Sequence, residues 1–180
     1  MMNELLDLLL GDTITRFVFF PSLAALPLLF LGRAGARTVK IYALFVALVE
    51  FALIALFTAS HWGAGTMVAR DATLTWLDFG SLRVLYEVGV DGISLPLVLL
   101  TGLLLPLVIL GSWRGITKHW SGFAASMFFL TTGMLGALVA LDLLVFYVFW
   151  EIMLIPMYVI IGIWGGDRRV YAAVKFFLFT

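Results

Sequence analysis

The sequence has 180 residues, 63% of them apolar and 12% charged, whereas an ordinary soluble domain is about 45 to 50% apolar and about 25% charged. A water-soluble globular fold is excluded, and lipid is the solvent this chain is written for. With no cysteine and two histidines, the chain has no means for a disulfide framework, a thiolate zinc site, iron–sulfur ligation or a His-rich metal centre, and eleven Lys and Arg balanced by eleven Asp and Glu exclude a basic nucleic-acid footprint.

Charge-free stretches match the roughly 20 residues that cross a ~30 Å hydrocarbon core. They predict an all-α polytopic membrane protein with about five complete transmembrane helices and the start of a sixth. The acidic residues Glu4, Asp7 and Asp12 stand where a signal peptide has a basic region, so the first residues read as a short amphipathic lead-in. The first helix runs from about Ile14 to Leu31, with Pro21 and Pro27 tolerated because neighbouring helices in lipid re-satisfy lost backbone bonds. The second, about Val39 to Ala59, carries Glu50.

Between residues 60 and 92, the run Leu82 to Val90 alternates with period two, and Trp76 and Phe79 precede a turn at Gly80. This predicts a small hairpin on the outer face, covering helix ends. The third helix, Ile93 to Ser112, follows Asp91-Gly92 and contains Pro96 and Pro106. The fourth, Gly122 to Leu141, is lined with Ala124, Ala125, Ser126, Gly133, Gly136 and Ala137, small residues that let helix backbones approach closely. The fifth, Leu143 to Ile163, carries Glu151 and Pro156, and a sixth begins near Val170 and is about two turns old after Lys175 when the sequence stops at Thr180. The sequence reads as the front part of something longer.

Connections on one side hold Arg33, Arg37, Lys40, Arg114, Lys118, Arg168 and Arg169 against Asp167. The other side holds Arg16, Arg70 and Arg83 against Glu4, Asp7, Asp12, Asp71, Asp78, Glu87, Asp91 and Asp142. The positive-inside rule then places the N-terminus outward. His61 beside Trp62 and His119 beside Trp120 fit interfacial belts, and no phosphate loop, dinucleotide fingerprint, nucleophile elbow or metal-ligand spacing occurs.

Three ionisable groups fall inside predicted spans: Glu50, Glu151 and Lys175. A charge near the bilayer centre costs roughly 2.5 to 3.5 kcal/mol on insertion scales, which makes each a candidate for function. Glu151 lies roughly 12 Å below the outer end of its helix, at 1.5 Å per residue. Pro156, five residues on, leaves the carbonyl of Ile152 without a helical donor, where water or a polar group can settle. A carboxyl there suits a proton relay switched by a moving cation; the bland alternative is a structural acid bonded to a neighbouring helix.

Lys175 should lie roughly 12 Å from Glu151 in depth, too far for contact but within reach of a water chain; alternatively it snorkels to the inner headgroups. Glu50 is central in its helix but has no proline or polar cluster with it, so a protonated carboxyl bonded across a helix interface competes with a transport role.

The run Leu141-Asp142-Leu143-Leu144-Val145-Phe146-Tyr147-Val148-Phe149-Trp150-Glu151, followed by Leu154-Ile155-Pro156-Met157-Tyr158, resembles the fifth helix of the M subunit of respiratory complex I, the proton-pumping NADH:quinone oxidoreductase. Val88-Gly89-Val90-Asp91-Gly92-Ile93-Ser94-Leu95 and Arg169-Val170-Tyr171-Ala172-Ala173-Val174-Lys175-Phe176-Phe177 resemble the same family. The resemblance implies an antiporter-like subunit, with inverted repeats after three introductory helices. Residues 1–121 would be the lead-in, helices one to three and the hairpin, and residues 122–180 the start of the first repeat.

Glu151 would take the place of the family's fifth-helix glutamate, which pairs with a lysine on a seventh helix beyond this sequence. The resemblance further implies NADH, flavin, iron–sulfur clusters and quinone in partner subunits, none in this chain. It implies neighbouring antiporter-like subunits and membrane lipid as partners, no nucleic acid, and a bacterial inner membrane. The rival readings are a subunit of a multi-subunit sodium/proton antiporter or membrane-bound hydrogenase, and a structural membrane protein without transport.

Overall fold

A computed structural model of the chain describes residues 13–31, 35–62, 67–70, 74–78 and 83–180. The acidic lead-in, Arg33, Asp71 and the turn at Phe79-Gly80 lie outside the described residues. The described residues form six helices in order, α1 Thr13–Leu31, α2 Ala36–His61, α3 Ser94–Gly115, α4 Trp120–Val139, α5 Leu143–Trp164 and α6 Arg169–Phe179, with strands β1 Met67–Arg70, β2 Leu74–Asp78, β3 Arg83–Tyr86 and β4 Gly89–Asp91 between α2 and α3. The helices α2 to α5 are long and apolar enough to cross a membrane, α1 is apolar as well, and the chain is an integral membrane protein.

The bundle is organised around α4, which packs against α1 on one flank and α5 on another and also touches α2 and α3. Its small residues make this possible. A Cβ added to Gly136 would run into the Phe149 ring, and one added to Gly133 would lie 3.2 Å from the backbone oxygen of Phe149, so these glycines allow the backbone of α5 to come in. The α2–α3 pair closes in the same way, with Ile54 Cδ1 2.9 Å from where a Gly102 Cβ would be.

The two ends of the bundle differ in chemistry. At one end the strands close over the helices: β2 pairs antiparallel with β3, β1 with β4, Val88 bridges Ala140, and the Leu141 amide donates to the Glu87 carbonyl at 3.0 Å. The Tyr86 hydroxyl comes within 3.4 Å of Thr15 Oγ1 on α1. Two aspartates start helices here. Asp142 Oδ1 accepts from the amides of Leu144 and Val145 at 2.8 and 3.2 Å, and Asp91 Oδ1 accepts from those of Ile93 and Ser94 at 2.9 and 2.6 Å. Each satisfies amides that a helix leaves without partners and sets a negative charge at its positive pole.

The other end is basic and aromatic. Lys40 Nζ donates to the Trp113 carbonyl at 2.6 Å, near the C-terminus of α3, where a cation meets the negative pole of the helix. The same amine sits over the rings of Trp113 and Trp120, 5.7 and 5.2 Å from their centroids. Trp164 Nε1 donates to the Lys118 carbonyl at 3.0 Å, and edge contacts run from Trp113 through Trp120 and Phe123 to Trp164. Such rings with one apolar and one wet edge suit a membrane–water boundary.

Candidate functional site

Glu151 lies near the middle of α5 and its side chain is exposed on the bundle. Of the four long helices α5 is the least buried, 22% of its apolar stretch against 39% to 50% in the others, so the face carrying Glu151 is one the described bundle leaves open. Tyr147, one turn earlier on the same helix, stands beside it, and no other helix among the described residues brings a polar partner. Tyr147 was not singled out in the sequence; its spacing of four from Glu151 is the signal that would have found it.

Lys175 stands on α6, also exposed, with its amine 5.9 Å from the ring centroids of both Tyr171 and Phe179. Helices α5 and α6 run antiparallel: Tyr158 stacks edgewise on Phe177 at 5.7 Å, and Gly162 lies against Ala173. That register puts Lys175 level with about residue 160 of α5, nine residues or roughly 13 Å along the axis from Glu151. The two are not brought into contact.

Glu50 is 0% exposed, and among the described residues neither carboxyl oxygen meets a hydrogen-bond donor. It sits at the junction of two apolar clusters, with Ala47 in one and Ile54 in the other. Its polar company comes from other helices. The contacts Lys40–Trp113 and Ile54–Gly102 align Glu50 with Leu105 and Pro106 of α3. Lys40 over Trp120 aligns it with about residue 130 of α4, beside the buried Thr131 and Thr132, and the Ser22 amide of α1 donates to Thr132 Oγ1 at 3.1 Å. A sequence read along α2 alone cannot show this layer.

Among the described residues no group of three or more His, Cys, Asp or Glu could hold a metal ion. Outside the spans, among the described residues, Asp91 has an altered ionisation. The backbone amides of Ser94 and then Ile93, with the Ser94 hydroxyl, hold its carboxyl below the usual aspartate range.

The family model for the amino terminus of NADH-ubiquinone oxidoreductase chain 4 matches residues 17–142. The chain belongs to the NADH-ubiquinone oxidoreductase chain 4 family. Residues 140–180 of this chain 4 family member match a second model, the transmembrane region of NADH:quinone oxidoreductase and Mrp antiporters. It is 37% identical over 171 residues to a chloroplastic NAD(P)H-quinone oxidoreductase chain 4 of Mesostigma viride, covering 93% of this chain and 32% of that one. It is 39% identical over 168 residues to an NAD(P)H-quinone oxidoreductase chain 4 of Picosynechococcus, covering 93% and 30%.

Respiratory complex I from Thermus thermophilus with bound NADH contains a chain similar in structure, with a TM-score of 0.74 and 25% identity over 93% of this chain and 32% of that one. This family member therefore spans about a third of the length of the relatives it matches.

Proposed function

We propose that this chain takes part in proton translocation within the membrane arm of an NADH:quinone oxidoreductase, with Glu151 as the group that takes up and releases the proton. The observation that carries the reading is the placement of Glu151: a carboxyl near the middle of an apolar spanning helix, on the face that the described bundle leaves open. An acid facing hydrocarbon at that depth would cost roughly 2.5 to 3.5 kcal/mol or more. The face is therefore covered by further protein, either the remainder of a longer chain like its relatives or a neighbouring antiporter-like subunit.

The chemistry follows from the surroundings. A cation brought to Glu151 favours the carboxylate, and the proton leaves; when the cation withdraws, the carboxylate takes a proton back. Tyr147, four residues earlier on the same face, offers the carboxyl a hydroxyl within its own helix, and the proline-freed carbonyl of Ile152, one residue on, gives water a place to bind. Lys175, roughly 13 Å deeper toward the basic end, lies on the route by which water reaches that end.

Residues 1–121 serve as the frame and residues 122–180 open the first antiporter-like repeat. Basic connections face the inside of a bacterial plasma membrane and the N-terminus faces out. NADH, flavin, iron–sulfur clusters and quinone belong to partner subunits in this reading; for the clusters, this sequence has no thiol to act as ligand.

Assembly separates this reading from its rival. Purified with its partners, the protein should support NADH-driven quinone reduction coupled to proton movement. Proton exchange that depends on sodium and proceeds without NADH would assign it to an antiporter instead.

A further inference from the structure

Glu50 has no part in the scheme above, and its surroundings differ from those of Glu151 in every respect that bears on charge. It is fully buried, and among the described residues neither carboxyl oxygen meets a donor. The elements packed on it bring no cation to its level. Helix α4 has no charged residue. On α3 the one charge is Arg114, near its C-terminus.

On α1 the one charge is Arg16; Phe17 packs on Phe57, which places Arg16 roughly 12 Å along the axis from Glu50. On α2 itself Lys40 is ten residues away, about 15 Å, and is engaged with Trp113. His61, eleven residues on, is about 16 Å away and bonds the Phe57 carbonyl through Nδ1. A carboxylate here would have neither counter-ion nor hydrogen-bond donor, the most costly state a buried polar group can occupy.

A neutral acid needs only an acceptor for its O–H, and α3 offers one. Pro106 has no N–H, so the carbonyl of Gly102, four residues earlier, has no helical donor. Gly102 and Pro106 are both buried. Gly102 faces α2, with Ile54 Cδ1 2.9 Å from where its Cβ would be. In a helix the carbonyl points toward the C-terminus, so the Gly102 oxygen points along α3 toward Pro106, which is the level of Glu50.

We propose that Glu50 is a proton-binding site that stays filled, a neutral carboxylic acid whose O–H is donated to the carbonyl of Gly102 and so ties α2 to α3 across the break at Pro106. Glu50 is thereby a positioning residue, in contrast to the exchanging carboxyl of Glu151. The inference does not depend on the proposed role of Glu151.

The test is infrared spectroscopy of the purified complex with carbon-13 in the glutamate carboxyls. A protonated carboxylic C=O band should be present in the wild type at neutral pH, absent in Glu50→Gln and retained in Glu151→Gln. Pro106→Ala returns an N–H to the Gly102 carbonyl, which then competes for it, and the Glu50 band should move to higher frequency as its hydrogen bond weakens. A Glu50 signal found only as carboxylate overturns the proposal. A band that stays in place in Pro106→Ala overturns Gly102 as the acceptor. If Glu50→Gln fails to assemble, the shift in Pro106→Ala decides by itself.

Discussion

Glu50 and Glu151, the only acidic residues in the described helices, are separated by α4 and lie within roughly 7 Å of each other along its axis. The register that sets this offset comes from Phe149 and Met153 against Gly136 and Gly133 on one side of α4, and from Lys40 over Trp120 on the other. One acid is closed in by four helices, and the other stands on the face left open. Similar depth with opposite access is the basis for assigning them different work.

The position of Glu151 depends on how closely α5 approaches α4. Gly136→Ala should destabilise the protein by about 1 to 3 kcal/mol through overpacking against Phe149, read as a lower thermal midpoint in detergent. Phe149→Leu in the same chain should recover part of the loss. Gly111→Ala, where a Cβ meets nothing within 4 Å, should not lower the midpoint.

Asp142 starts the helix that carries Glu151. Asp142→Ala removes the acceptor for the Leu144 and Val145 amides and should cost about 0.5 to 2 kcal/mol, the usual range for a lost N-cap. Faster hydrogen exchange confined to those two amides is the expected signature, and Asp142→Ser should restore protection.

Asp91 gives the α3 end a pH dependence of known sign. Its folded carboxyl is held below the ordinary aspartate range, first by the Ser94 amide and then by that of Ile93. Its contribution is therefore complete above the unfolded aspartate value of about 3.9, and is lost as pH falls through the lowered folded value. The difference in thermal stability between wild type and Asp91→Asn should be constant at neutral pH and shrink in acid. A difference that grew in acid would contradict the assignment.

Lys40 joins three helices at the basic end. Lys40→Met removes the donor to the Trp113 carbonyl and the cation over Trp113 and Trp120. It should cost about 1.5 to 3 kcal/mol, the range for a hydrogen bond to a charged group, and change the tryptophan emission. Lys40→Arg should recover only part, because a planar guanidinium does not place a point charge between two rings and a carbonyl.

The spans were legible because an apolar run bounded by charge has one solution in lipid; most expected helix ends fall within about three residues of those observed, the usual scatter of boundaries. The departures have local causes. Helix α2 starts at Ala36 rather than Val39, since Arg37 and Lys40 can join the helix while their heads reach out of the apolar layer. Helix α4 ends at Val139 rather than Leu141 because Ala140 bridges Val88 and the Leu141 amide is taken by Glu87. The alternation from Leu82 to Val90 is divided at Glu87, where β3 and β4 change partners.

Glu151 could be found by its depth and by Pro156 on its own helix. The layer at the level of Glu50 could not, because Pro106, Thr131, Thr132 and Ser22 are brought to that level only by the packing of other helices.

The central claim is that Glu151 exchanges the translocated proton. Its most direct test is the Glu151→Gln variant of the full complex in sealed vesicles, measuring proton movement and NADH:quinone reduction together. The account predicts that the variant assembles and that protons moved per NADH oxidised fall sharply. Proton movement per NADH equal to the wild type would contradict it, and would leave Glu151 a structural acid at a helix interface.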